Sequence, residues 1–116
     1  MYIVGNNCAG ISNKKDSLTN MIDKFCPGVL MLQETKCKKK NTVKLDEYTV
    51  FEHLRNESSG GGLLTAVHSS LHPVCVGDGG EVEVLVVEAN LGSRKVHFIN
   101  AYGKQGARKR YIHYPG

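Results

Sequence analysis

Glu34 closes the stretch "VLMLQET", residues 29 to 35, in which four apolar residues run unbroken into Gln33 and a carboxylate. The run reads as a buried β-strand. An unpaired carboxylate at the end of such a strand would cost several kcal/mol in low dielectric, so something beside Glu34 must want a negative charge. Two other polar side chains also stand at the ends of strand-like runs: Asn7 in "YIVGNNCAG" and Tyr102 in "FINAYG". An amide, a carboxylate and a phenol are groups that bind ions and donate or accept hydrogen bonds at a reaction centre. Each has an ordinary alternative: Asn7 as the cap of a turn, Glu34 paired with Lys36 or Lys38, Tyr102 packed with its hydroxyl in water.

The elements around these residues decide whether they can meet. "YIVGNN" opens as a strand. In "NKKDSLTNMIDKFCPG" the residues Leu18, Met21, Ile22 and Phe25 fall at i, i+3, i+4 and i+7, with Asn13 as N-cap and Pro27-Gly28 as the stop, which predicts an amphipathic helix near 14–25. A strand, a connection of about twenty residues and a second strand form a β-α-β unit with parallel pairing. The C-terminal ends of both strands then share one edge of the sheet, and Asn7 meets Glu34. Further strands are expected near 47–54, 61–67, 81–90 and 94–102, beside the first two near 2–6 and 29–34. "NLGS", at 90–93, reads as a hairpin turn. No repeat and no linker interrupts this plan.

Composition bounds the rest. The chain has 116 residues, 41% of them hydrophobic and none of them tryptophan, which suits one small domain with a modest core. Residues 104–116 hold Lys104, Arg108, Lys109, Arg110 and no acid, so the net charge of +4 lies entirely in the tail. The tail has no apolar period and is expected to be a basic, disordered segment over 106–116. Together with the lysine-rich stretch after Glu34, it suggests weak, sequence-independent contact with nucleic acid through Lys36, Lys38, Arg108, Lys109 and Arg110. Cys8, Cys26, Cys37 and Cys75 show no metal-binding or redox spacing and read as reduced thiols. With no signal-like start, they point to an intracellular protein, in the nucleus or the cytoplasm. Of the five histidines only His68 and His72 fall at i, i+4, and Pro73 argues for a loop there, so they read as surface residues rather than a metal site.

Taken together, strand-Asn-x-x-Gly, helix, apolar strand-Gln-Glu-Thr, meander and Asn-x-Tyr-Gly resemble the N-terminal half of the endonuclease/exonuclease/phosphatase superfamily. "LQETK" is similar to the apurinic endonucleases of the exonuclease III type. "NAYG" followed by Gln105 resembles the endonuclease domains of non-LTR retrotransposons. The resemblance covers residues 2 to 105. It implies an α/β fold, a partial β-sandwich of mixed sheet with a packed helix and its second half missing. It also implies Mg²⁺- or Mn²⁺-dependent phosphodiester cleavage in DNA or a related substrate. By resemblance, Asn7, Glu34 and Tyr102 are catalytic: Glu34 as metal carboxylate, Asn7 orienting metal or phosphate, Tyr102 donating to a phosphate oxygen. Ala9 and Lys104 depart from the family pattern. None of Asp16, Asp23, Asp46 or Asp78 is followed two residues later by asparagine, so the family's Asp-x-Asn motif is absent from these residues. The expectation is a domain 1–105 that binds metal weakly and is inactive alone. Its bare sheet face would favour self-association. The alternative is a non-enzymatic nucleic-acid-binding or interaction module.

Overall fold

A computed structural model describes residues 3–7, 15–36, 43–54, 62–79, 83–102 and 108–114, with the backbone alone at 6, 7 and 108–111. The elements, in chain order, are β1 (Ile3–Asn7), α1 (Lys15–Phe25), β2 (Val29–Gln33), β3 (Tyr48–His53), β4 (Leu63–His68), a short 3-10 turn (Ser69–Leu71), β5 (Val74–Asp78), β6 (Glu83–Leu91), β7 (Arg94–Tyr102) and β8 (Arg108–His113). They form two four-stranded sheets, ordered β1-β2-β4-β3 and β5-β6-β7-β8. β1 and β2 are parallel, Ile3 opposite Val29 and Asn7 opposite Gln33, as the β-α-β reading requires. The remaining strand pairs are antiparallel.

The unbroken apolar character of "VLML" has a direct cause. β2 is covered on both faces and every residue in it is buried, which is why it lacks the alternation of a half-exposed strand. On one face Val29 and Met31 join Leu63 and Val67 against Leu85, Val87, Ala89, Val96 and Phe98 of the second sheet. On the other, Leu30, Leu32, Leu64 and Ala66 pack with Leu18, Met21 and Ile22 of α1 and with Val4, Val43 and Val50. The layers are therefore helix, sheet, sheet. β6 and β7 alternate buried and half-buried residues, since one face meets the first sheet and no helix among the described residues packs on the other.

The α/β class, the packed helix and the partial sandwich agree with the expectation from sequence, and four details differ. The strands expected in one sheet divide into two sheets that cover each other's apolar faces. The tail expected to be disordered contains β8, antiparallel to β7 with Tyr102 opposite Arg108 and His97 opposite His113. An edge strand is held by backbone hydrogen bonds to one neighbour, so "RKRYIH" needs no apolar period to form it. β5 was also not foreseen: it is short, carries a bulge between Cys75 and Gly77, and leaves Val74 and Val76 exposed at the sheet edge. Phe25, placed by its spacing on the packed face of the helix, is exposed, with the Lys24 ammonium over its ring. Asn13, Cys8, Cys37, Lys38, Ala9 and Lys104 lie outside the described residues. Cys26 and Cys75 are exposed free thiols.

The "NLGS" hairpin forms as expected, with Leu91 paired to Arg94 across a two-residue loop in which Gly92 has φ +64. At the other end of the first sheet the Tyr48 hydroxyl donates to the Pro27 carbonyl and so ties β3 to the turn that ends α1. Burial, with the neighbouring Cys26 and Glu47, raises the pKa of that phenol, which keeps it a donor. No helix of the described residues is long and apolar enough to cross a membrane.

A buried amide joins the two sheets. Asn100, fully buried on β7, donates through Nδ2 to the carbonyls of Leu32 (3.1 Å) and Leu64 (3.2 Å) and to Thr65 Oγ1 (3.4 Å). Its Oδ1 accepts from Gln33 Nε2 at 3.2 Å, and the same Nε2 donates to the Ala101 carbonyl at 2.9 Å. These bonds cross between sheets where side-chain packing alone would leave the register free. Asn100→Leu keeps the volume and removes the donor, so it is expected to destabilise the chain by about 2–4 kcal/mol, the cost of disrupting a buried polar network. Urea denaturation followed by far-ultraviolet circular dichroism measures this; a change below about 0.5 kcal/mol would mean that apolar packing alone holds the sheets.

Candidate functional site

β2 and β7 belong to different sheets, yet both end at the same mouth of the sandwich, because the Gln33–Asn100 bond lies one residue before Glu34 and two before Tyr102. Glu34 leaves β2 in the left-handed region, φ +55, and Lys36 follows at φ +56. Such conformations in residues other than glycine cost about 1–3 kcal/mol each and persist only where surrounding contacts enforce them. Here the enforcing contacts are visible. The Thr35 amide donates to the Gly62 carbonyl at 3.3 Å, and the Gly62 amide donates to Glu83 Oε1 at 2.9 Å. Glu83 is a buried carboxylate on β6 whose backbone lies opposite Tyr102. The chain Glu83, Gly62, Thr35 therefore holds the backbone that projects Glu34.

The Glu34 side chain is half-buried, and its Oε1 accepts a hydrogen bond from the Tyr102 hydroxyl. Two residues that are 68 apart in sequence, at the ends of strands in opposite sheets, thus touch. The backbone of Asn7 lies opposite Gln33, one residue from Glu34. Of its side chain nothing is described, so the structure brings Glu34 and Tyr102 into contact and Asn7 into register with them. Lys36 is exposed beside the site. Arg108, Lys109 and Arg110 are known by backbone alone, with Arg108 directly across from Tyr102.

The donor chemistry is that of hard oxygen: a carboxylate oriented by a phenol. This suits a cation such as Mg²⁺ or Mn²⁺, which takes one or two carboxylates and keeps several waters, better than it suits a soft metal. Among the described residues no group of three or more histidine, cysteine, aspartate or glutamate side chains is arranged to hold an ion. Glu34 fits such a cation as one ligand of an incomplete set.

Residues that the sequence reading passed over carry much of the positioning. Gln33 and Asn100 interrupt the period-two apolar alternation of their strands, Val29-Met31-Gln33 and Val96-Phe98-Asn100, and that interruption is the available signal. Glu83 had none, since its role depends on a loop amide from another strand pair.

No protein-family model matches the chain, and no curated protein matches it. Among solved structures the chain is similar to an AP endonuclease, LMAP from Leishmania major, at 23% sequence identity with a TM-score of 0.70. The match covers 87% of this chain and 40% of that one. The architecture is thus a partial AP endonuclease-like fold, and the chain spans less than half the length of that enzyme.

Gly62 is the tightest joint of the site. It has φ +93, and a Cβ there would sit 2.5 Å from Thr35 Oγ1. Gly62→Ala is expected to cost about 1–3 kcal/mol from the backbone conformation alone, with more from displacing Thr35. Pairing it with Thr35→Ala should recover the steric part and leave the conformational part, a non-additive pair measurable by thermal or urea melts. Strict additivity would show that the two residues do not share this contact.

Proposed function

We propose that these 116 residues form one wall of a divalent-metal-dependent phosphodiesterase site acting on nucleic acid, and that they are inactive without further groups. The observation that carries the reading is Glu34: a carboxylate held at positive φ and bonded by the hydroxyl of Tyr102, at the common mouth of two sheets. The likeness in fold to an enzyme named an AP endonuclease supports it. The motif "NAYG" with Gln105 points, within that class, toward DNA endonuclease domains of the retrotransposon kind, in a nuclear or cytoplasmic setting.

In this reading Glu34 is the metal carboxylate, and Asn7, whose backbone lies opposite Gln33, serves to orient metal or phosphate. A bound Mg²⁺ or Mn²⁺ supplies Lewis-acid polarisation of the phosphate and orients water. Tyr102 fixes the carboxylate through its O–H, and in this reading that hydroxyl turns to donate to a phosphate oxygen as charge develops. Lys36, exposed beside the site, together with the basic residues Lys38, Arg108, Lys109 and Arg110 of the sequence, attracts the phosphate backbone without reading sequence. Among the described residues no general acid or base stands ready for the attacking water or the leaving oxygen, and a positioned group of this kind typically contributes about 10²–10⁴-fold. Hydrolysis by the 116 residues alone should therefore fall below detection.

The test supplies the complementary portion of an AP endonuclease-like domain in trans, with Mg²⁺ and duplex DNA containing an abasic site. Cleavage is expected only in the mixture. Glu34→Gln, which keeps shape and removes charge, should abolish it while assembly is retained. Tyr102→Phe should reduce it by about 10²–10³-fold, as loss of one oriented donor to a developing charge does. Cleavage by the unaided chain that depends on Glu34 would overturn the inactivity. Cleavage in the mixture that ignores Glu34→Gln would overturn the role of Glu34.

A further inference from the structure

The outer face of the second sheet, away from the sandwich core and from Glu34, carries a second cluster of ligating groups. His97 on β7 and His113 on β8 are directly opposite in the ladder. Their Nδ1 atoms are 3.5 Å apart, with ring centroids 5.6 Å apart and planes inclined by 32°. Glu88, opposite His97 on the other side in β6, accepts a hydrogen bond from His97 Nε2 at 2.9 Å, and Lys95 Nζ lies 3.6 Å from the other carboxylate oxygen.

Three features of this arrangement agree with one chemistry. Two Zn–N bonds of about 2.0–2.1 Å at a tetrahedral angle separate their nitrogens by roughly 3.4 Å, close to the observed gap. The carboxylate of Glu88 receives the Nε2–H of His97, which places the lone pair of the neutral ring on Nδ1, the atom that faces His113. A metal-bound histidine characteristically hands its other N–H to a carboxylate in this manner. The cluster is also accessible, with side-chain exposure of 23% for His97 and 27% for Glu88, so an ion can enter from solvent and keep water ligands.

We propose that His97 and His113 form a cross-strand site for a borderline transition-metal dication, Zn²⁺ foremost, with Glu88 orienting His97 from behind. Among the described residues no third ligand completes a set, so water fills the remaining positions and the ion is held reversibly. Its structural consequence falls on β8. An edge strand of basic residues with no apolar alternation has a weakly specified register. A metal bridging His97 to His113 pins that register and, at the far end of the same ladder, keeps Arg108 opposite Tyr102. The site is separate from the hard-oxygen environment of Glu34, and Mg²⁺ does not compete for imidazole nitrogen.

The whole chain, with its cysteines alkylated to remove competing thiols, is titrated with Zn²⁺ against a chromophoric chelator in excess Mg²⁺. Stoichiometric uptake is expected, with amide exchange over 108–113 slowed on binding. His97→Ala and His113→Ala should each weaken binding at least tenfold and abolish the added protection. Glu88→Gln, which leaves both rings in place, should weaken it by about 10–100-fold, the usual effect of losing a carboxylate behind a metal-bound histidine. All three side chains lie on the solvent-facing side of the sheet, and an unchanged circular dichroism spectrum verifies that each variant folds. No uptake of Zn²⁺ by the unsubstituted chain would overturn the proposal and leave a plain histidine–histidine hydrogen bond. Equal affinity in the unsubstituted chain and in His113→Ala would overturn it as well.

Discussion

The side-chain amide of Asn100 is the constraint on which the rest of the structure depends. It reaches from the second sheet into the first and donates to backbone carbonyls of two adjacent strands, while its own oxygen accepts from Gln33. Apolar packing between Phe98, Val87, Met31 and Val67 is strong but has no direction, and a sandwich held by it alone could slide. Directional bonds inside a low-dielectric core allow one register and penalise the others, because a slip would leave buried polar groups without partners.

That register produces the site. With Gln33 and Asn100 bonded, the next residue of β2 and the second next of β7 are brought to the same mouth, and the Tyr102 hydroxyl reaches the Glu34 carboxylate. The cost of the left-handed conformations at Glu34 and Lys36 is offset by the clamp through Thr35, Gly62 and Glu83. Stability thus flows from the core outward, and strain is concentrated at the carboxylate on which the proposed chemistry turns.

The parts of this arrangement visible in the sequence are those with local or periodic signatures. The helix followed from Leu18, Met21 and Ile22, the buried strand from "VLML", the hairpin from "NLGS", and the convergence of β1 and β2 from the length of their connection. What depends on pairing between distant segments left no such trace. β8 forms because the edge of β7 offers backbone partners, not because "RKRYIH" has a pattern. The division into two sheets follows from faces covering one another. Phe25 satisfies helical spacing yet lies past the edge of the packed surface. Glu83 shows the same limit for the site, since one strand carboxylate among several becomes a clamp only when Gly62 folds over it. The likeness to the Leishmania major enzyme agrees with the fold class inferred from "LQET" and "NAYG".

The central claim is that Glu34, held by Tyr102, is where a hard divalent cation would enter. Titrating the isotopically labelled 116-residue chain with Mn²⁺ and recording paramagnetic broadening of amide resonances tests it without requiring catalysis. Broadening that begins at residues 33–36, Gly62 and Tyr102, and is lost in Glu34→Gln, is the predicted result. Broadening that is uniform, or centred on the helix carboxylates Asp16 and Asp23 and indifferent to Glu34→Gln, would contradict it.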